Sequence, residues 1–153
     1  MTMKRPRTIL ALDLGATTGW AIIRDGQYSD GGSKEFLGSR SDRLREFSWW
    51  LTDTTAPMQF DTVVFELPFC RGRAATRALW GMAGVVEAVA SVSAAVLDVN
   101  LQTIKKWAGA KGRMSKDVTT EKCWSLGVVP EDDNHADAVC LAFYAAETME
   151  IEE

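Results

Sequence analysis

The apolar positions change their period along the chain, and those changes divide it into elements. Thr8 to Leu14 is almost unbroken apolar sequence, too short for a helix and stopped by Gly15, which predicts a strand buried on both faces. Gly15-Ala-Thr-Thr-Gly19-Trp supplies a tight turn, and Ala21-Ile22-Ile23 a second strand paired back on the first. Gln27 to Gly38 is polar with Phe36-Leu37 near its end and fits a third antiparallel strand. From Ser41-Asp42 the period lengthens: Leu44, Phe47, Trp50 and Leu51 share one helical face, and Pro57 lies beyond the helix end. Asp61-Thr-Val-Val-Phe-Glu66 is a second apolar run, stopped by Pro68, which cannot donate to a ladder.

The second half alternates helix and strand. Ala74 to Ser91 carries Ala75, Leu79, Met82, Val86 and Val89 along one stripe, a core-facing helix that could also supply a subunit contact. Ala94 to Val99 reads as a strand and Leu101 to Ala108 as a short helix. A helix from about Lys116 to Leu126 is closed by Gly127. The last helix begins in Glu131-Asp-Asp-Asn-His-Ala-Asp137 and continues as an alanine-rich apolar stretch. An antiparallel meander followed by alternating helices and strands predicts an α/β fold.

Three acidic positions interrupt this pattern. Asp13 sits inside the first strand near its C-terminal end, where an unpaired charge is costly. It either caps the turn through its side chain or belongs to a site. Glu66 ends a second apolar strand in the same way. If the two strands are parallel neighbours, both carboxylates emerge at the sheet edge where open α/β sheets place their sites. Two close acids repel and raise a pKa unless a cation holds them. The alternative is exposed strand ends paired with arginine. Asp137 is expected in the first turn of the last helix, with Asn134 and Asp133 three and four residues earlier and able to share its face. Asp133 or Asn134 is also a candidate N-cap, and a capping role is compatible with a ligand role. His135, two residues from Asp137, is expected to point elsewhere, onto the surface.

Composition narrows the chemistry. The 153 residues fit a single domain, residues 1–153, with a full-sized core. One histidine excludes a site built on two or three. The three cysteines, Cys70, Cys123 and Cys140, are widely spaced and suggest neither a disulfide framework nor a zinc site. Oxygen-only ligands favour Mg²⁺ or Mn²⁺. No apolar run reaches membrane-spanning length and no apolar segment follows the basic N-terminus, so a cytoplasmic protein is expected.

The net charge of −4 argues against a nucleic-acid partner until its distribution is considered. Leu67 to Lys122 holds nine Lys or Arg against four Asp or Glu, whereas residues 131–153 hold none against eight. A basic middle of this kind suits phosphate binding, although a solvated surface would look the same. Leu67-Pro-Phe69-Cys-Arg71-Gly-Arg73 sets an aromatic among arginines beside Glu66, where Phe69 is either an ordinary buried ring or a base-stacking platform. The flexible segment Gly109 to Lys116 contains no G-x-x-x-x-G-K-[ST] arrangement and is not a nucleotide-binding P-loop.

In this order the three acidic motifs resemble those of the RuvC family of Holliday-junction resolvases, within the RNase H-like nucleases. Asp13-Leu-Gly-Ala-Thr-Thr-Gly-Trp-Ala is similar to the family's first motif. Glu66-Leu-Pro-Phe69 with Arg73-Ala-Ala is similar to the second, and Asn134-His-Ala-Asp137-Ala to the last. The resemblance covers nearly the whole chain. It implies a five-stranded mixed sheet, an antiparallel meander plus parallel strands, flanked by helices. It also implies a Mg²⁺-dependent endonuclease, a crossover junction resolvase, acting on four-way junctions and other branched DNA such as forks or flaps, as a homodimer.

Two metal ions per site would be held by Asp13, Glu66, Asp137 and a fourth ligand. The family usually places Asp or His three residues before the last Asp, where this chain has Asn134, a neutral oxygen donor. Asp133 is expected to take the catalytic role, with Asn134 as the other candidate ligand. Arg71, Arg73, Lys106 and Lys116 would grip phosphates, and Phe69 would stack on an unpaired base. The compact length would suit a phage or a bacterium. Two rival readings remain. D-x-G-x-T at Asp13 also fits an actin-like ATPase or kinase, though such proteins need two subdomains and 153 residues leave no room. A junction-binding module without cleavage is the other, kept open by Asn134.

Overall fold

Strand β1 (Thr8–Asp13) runs through the middle of a five-stranded sheet, as its continuous apolar sequence demands. The computed structural model describes residues 7–57, 59–66, 72–109 and 118–148. β1 pairs antiparallel with β2 (Thr17–Arg24), which pairs antiparallel with β3 (Gln27–Glu35). On its other side β1 pairs parallel with β4 (Thr62–Glu66), and β4 pairs parallel with β5 (Ala95–Val99). The order across the sheet is β3-β2-β1-β4-β5, the mixed sheet expected from a meander followed by crossovers.

Strand alternation sorts the core into two layers. Leu10, Leu12, Ile22, Val63 and Phe65 face helices α1 (Arg40–Thr55) and α2 (Arg73–Ala90), packing on Phe47, Leu51, Met82 and Val86. Ile9, Ala11, Ala21, Ile23 and Val64 face the opposite layer, α3 (Leu101–Ala108), α4 (Val118–Ser125) and α5 (Asp133–Thr148). Each fully buried Leu, Ile or Phe in these layers contributes about 1.5–3 kcal/mol. The same parity assigns Asp13 and Glu66, which follow Ala11 and Val64 by two residues, to the α5 side.

The expected α1 face is present, with Phe47 and Leu51 buried and Leu44 and Trp50 packed at its margin. Its start differs from expectation. Ser39, not Ser41, is the N-cap, because Asp42 stands three residues on and completes a capping box with Ser39. On α2, Met82 and Val86 are buried as the stripe predicts, but Ala75 is exposed near the helix start. None of the described helices is long and apolar enough to cross a membrane.

Candidate metal centre

Two strand ends and one helix start meet at a single point. The β1–β4 register pairs Leu12 with Phe65, so one step further Asp13 and Glu66 lie side by side at the C-terminal ends of parallel strands. Helix α5 crosses this edge on the face to which both acids belong. One carboxylate oxygen from each of Asp13, Glu66 and Asp137 lies within 4.8 Å of the other two, and all three residues are half-buried. Asp13 therefore belongs to this cluster rather than to the turn that follows it. Thr18 instead ties that turn, donating its hydroxyl to the Gly15 carbonyl at 2.8 Å.

The approach of α5 depends on a glycine. A Cβ on Gly19 of β2 would stand 1.9 Å from the backbone oxygen of Asn134 and 2.9 Å from the nitrogen of His135. The first turn of α5 is thus seated directly on the β2 backbone, which no side chain at that position would permit. Asp132 caps this turn, accepting the His135 N–H at 2.8 Å on Oδ1, which also accepts the Ser33 hydroxyl at 2.5 Å. The N-cap role expected of Asp133 or Asn134 falls to Asp132 because the helix begins at Asp133, one residue earlier than an Asp133 cap and two earlier than an Asn134 cap would require. With the helix starting this early, Asp137 lies in the second turn rather than the expected first, and Thr119 of α4 donates its buried hydroxyl to Asp137 Oδ1 at 2.7 Å.

Electrostatics mark the cluster as short of positive charge. Burial raises Asp13 well above the ordinary carboxylate range, and the charges of Glu66 and Asp137 raise it further. Glu66 is pushed up to about 7, mainly by burial and then by Asp137. Burial also raises Asp137, opposed by the Thr119 hydrogen bond and by Lys105. Lys105 opposes the shift on Glu66 as well, so its ammonium lies in the field of both acids. Three acids held together against repulsion, with oxygen donors alone, fit a hard divalent cation better than any soft metal.

The remaining sequence candidates are distributed as follows. Asp133 is exposed and lies outside the three-acid cluster, although its charge reaches Asp137; Asn134 is half-buried. Asp132 contributes charge to both Asp13 and Asp137. Arg73 is exposed at the start of α2, and Lys106 is exposed on α3. Phe69, Arg71 and Lys116 lie outside the described residues. Sequence reasoning passed over Lys105, Thr119 and Asp132. Only Lys105 carried a signal, as the neighbour of Lys106, and choosing between them requires the rotation of α3.

His135 is a correction. Expected at the surface, it is 3 % exposed. Two residues from Asp137 on a helix is about 200° of rotation, so it does point away from the acids. That direction leads to β3 and Tyr28 rather than to solvent.

Known structures share this arrangement of strands and helices. The chain matches Thermus thermophilus RuvC with a TM-score of 0.76 and 15 % identity, over 91 % of this chain and 93 % of that one. T. thermophilus RuvC in complex with Holliday junction substrate matches at TM-score 0.74 and 15 % identity, over 92 % of each chain. The chain has the fold of the RuvC resolvases. The yeast mitochondrial Holliday junction resolvase Ydc2 has the same RuvC-like fold, with TM-score 0.67 and 12 % identity over 93 % of this chain and 78 % of that one. No protein-family profile and no curated relative matches by sequence. The RuvC-like architecture is the RNase H-like mixed sheet anticipated from the order of the motifs.

Proposed function

We propose that the protein is a divalent-metal-dependent endonuclease that resolves branched DNA, with the four-way junction as its main substrate. One observation carries the reading. Asp13, Glu66 and Asp137 bring carboxylate oxygens within 4.8 Å of one another at the open edge of a RuvC-like sheet. Resolvases of this fold include one seen on a Holliday junction, which favours DNA over a nucleotide as the ligand of that edge.

In this reading Asp13, Glu66 and Asp137 hold Mg²⁺ or Mn²⁺, with Asp133 or Asn134 at the margin of the site as the further ligand. When bound, a pair of such ions lowers the pKa of an attacking water and stabilises the leaving oxygen of a phosphodiester. The chain supplies no nucleophile of its own; its task is to hold ionised carboxylates at a fixed spacing. Thr119 orients Asp137, and Lys105 offsets part of the negative charge. Arg73 and Lys106, with Arg71 and Lys116, grip the phosphates, and Phe69 stacks on a base unpaired at the branch. Two symmetric nicks require two sites, so the active unit is a homodimer.

Incubation of a synthetic four-way junction with the wild-type protein and Mg²⁺ tests the reading. Paired nicks near the branch, absent in Asp13→Asn and absent in chelator, are the expected result. Junction binding without nicking would leave a binding module instead, and ATP hydrolysis with junction DNA ignored would overturn the nuclease reading.

A further inference from the structure

Helix α5 brings Asp137 to the acids from its second turn, whereas His135 in its first turn faces away from them. His135 Nδ1 accepts the Glu131 backbone N–H at 3.0 Å. A nitrogen that accepts is unprotonated, so the ring proton lies on Nε2, which donates to Tyr28 Oη at 3.0 Å. Glu131 lies just before α5 and Tyr28 lies on β3, so the imidazole ties the helix start both to its own lead-in and to the sheet. The β3 backbone leaves room for this contact. A Cβ on Gly31 would stand 2.7 Å from His135 Nε2, 2.7 Å from Tyr28 Oη and 2.7 Å from the Trp20 carbonyl.

The other polar contacts of this turn with the sheet are exposed ones: Ser33 Oγ to Asp132, and Ser33 N–H to Glu131 Oε2 at 3.2 Å. Water competes with both. His135 is 3 % exposed, and its hydrogen bonds, partly shielded from water, hold their geometry more firmly than exposed ones. Burying an imidazole is also dearer than burying a leucine of similar size. Stability alone does not call for a histidine here.

We propose that the Tyr28–His135 pair is a positioning device that sets the rotation of α5, and with it the place of Asp137 and the neighbouring Asp133 and Asn134 relative to Asp13 and Glu66. The leverage is large. A carboxylate oxygen stands about 6 Å from the helix axis, so a rotation of about 20° moves it about 2 Å. Hard cations tolerate ligand displacements of only about 0.2 Å. The inference rests on the metal-site reading of the three acids, and it concerns how that site is built rather than which DNA is cut.

The test uses Tyr28→Phe, which removes only the hydroxyl, His135→Leu, which removes both bonds, and His135→Gln, whose amide N–H replaces Nε2–H. Mn²⁺ affinity is measured by calorimetry on the DNA-free protein, alongside metal-free thermal melting and junction nicking. Tyr28→Phe and His135→Leu are expected to weaken Mn²⁺ binding about tenfold or more, and His135→Gln to recover most of the loss. A merely structural role would lower the melting temperature and leave Mn²⁺ affinity of the folded protein within twofold of wild type. That result overturns the proposal, and if His135→Leu does not fold, Tyr28→Phe decides. Wild type whose Mn²⁺ affinity depends on Tyr28 but which cuts no junction would sink the nuclease reading and leave this one standing. Wild type that cuts, with both variants binding Mn²⁺ normally, does the reverse, and a wild type that binds no Mn²⁺ overturns both.

Discussion

Thr119 of α4 and Asp137 of α5 are joined by a hydrogen bond of 2.7 Å in which the hydroxyl donates to Oδ1, and the threonine is 2 % exposed. A buried hydroxyl directed at a half-buried carboxylate both aims it and favours its charged form. Thr119→Val keeps the shape and removes the donor. Asp137 then titrates higher, so the pH at which nicking reaches half its maximum should move upward, with a rate loss of about 10-fold or more at neutral pH. A pH–rate profile at saturating Mg²⁺ checks this, and an unmoved midpoint would remove Thr119 from the site.

The raised acids make a prediction about stability whose sign is fixed. Glu66 titrates near 7 in the folded chain against an ordinary 4.5, so between those values the folded state binds more protons than the unfolded state. Its contribution to stability is therefore best at low pH, falls as pH rises toward 7, and is flat above. Asp13 and Asp137 are displaced in the same direction. Asp132 and Asp42 are lowered and oppose the trend only in more acid solution, whereas His135, lowered by burial, opposes it below its ordinary 6.5 and offsets part of it there. The metal-free melting temperature should thus rise by several degrees between pH 8 and pH 5.5. Saturating Mg²⁺ should remove that slope by stabilising the ionised form, as seen in melting curves with and without chelator.

Removing one charge from the cluster should separate activity from stability. Asp13→Asn relieves the repulsion that Glu66 and Asp137 exert on Asp13 and keeps the side-chain size. The metal-free variant should be more stable than wild type by about 1 kcal/mol at pH 8 while nicking is lost. Denaturant titration beside a nicking assay measures both. A destabilised variant would mean that Asp13 is held by favourable partners rather than by the demands of a site.

Much of this arrangement was legible in the chain because strands advertise themselves locally. Asp13 and Glu66 each interrupt an apolar run near its end, and the period of two then fixes which face they share. Helix rotation is not local. Whether Lys105 or Lys106 faces the acids, and whether His135 meets solvent or β3, depends on how α3 and α5 settle on the sheet. Ser39 was readable, since Ser39 and Asp42 have capping-box spacing, but Ser41-Asp42 offered a closer and misleading pair. Thr119 had no signal at all: nothing in Val118-Thr-Thr-Glu121 indicates which hydroxyl will find a carboxylate on another helix.

Gly19 is the position where the backbone itself is committed. Because a Cβ there would meet the Asn134 carbonyl at 1.9 Å, and backbone cannot swing aside as a side chain can, Gly19→Ala should displace the start of α5 from β2. A loss of about 3 kcal/mol is expected, together with loss of Mn²⁺ binding in the fraction that remains folded. Gly26, which has open space around it, is the control for glycine replacement away from the site, though its φ of +79° calls for Asn rather than Ala. Gly26→Asn with unchanged Mn²⁺ affinity and Gly19→Ala without it would locate the effect at the β2–α5 contact.

The adjacent lysines of α3 should fail in different ways. Lys105 is half-buried and its charge reaches Glu66 and Asp137, whereas Lys106 is exposed on the same turn. Lys105→Ala removes a charge that favours the ionised acids, so its effect should fall on the rate at saturating DNA and diminish as the pH is raised. Lys106→Ala should leave that rate unchanged and weaken DNA binding. The salt dependence of its binding should become shallower by about one unit of slope, the signature of one lost phosphate contact. Binding isotherms across a salt series, paired with single-turnover nicking, distinguish the two. If Lys105→Ala shifts only the salt slope, its ammonium serves the DNA backbone and the acids are balanced by some other group.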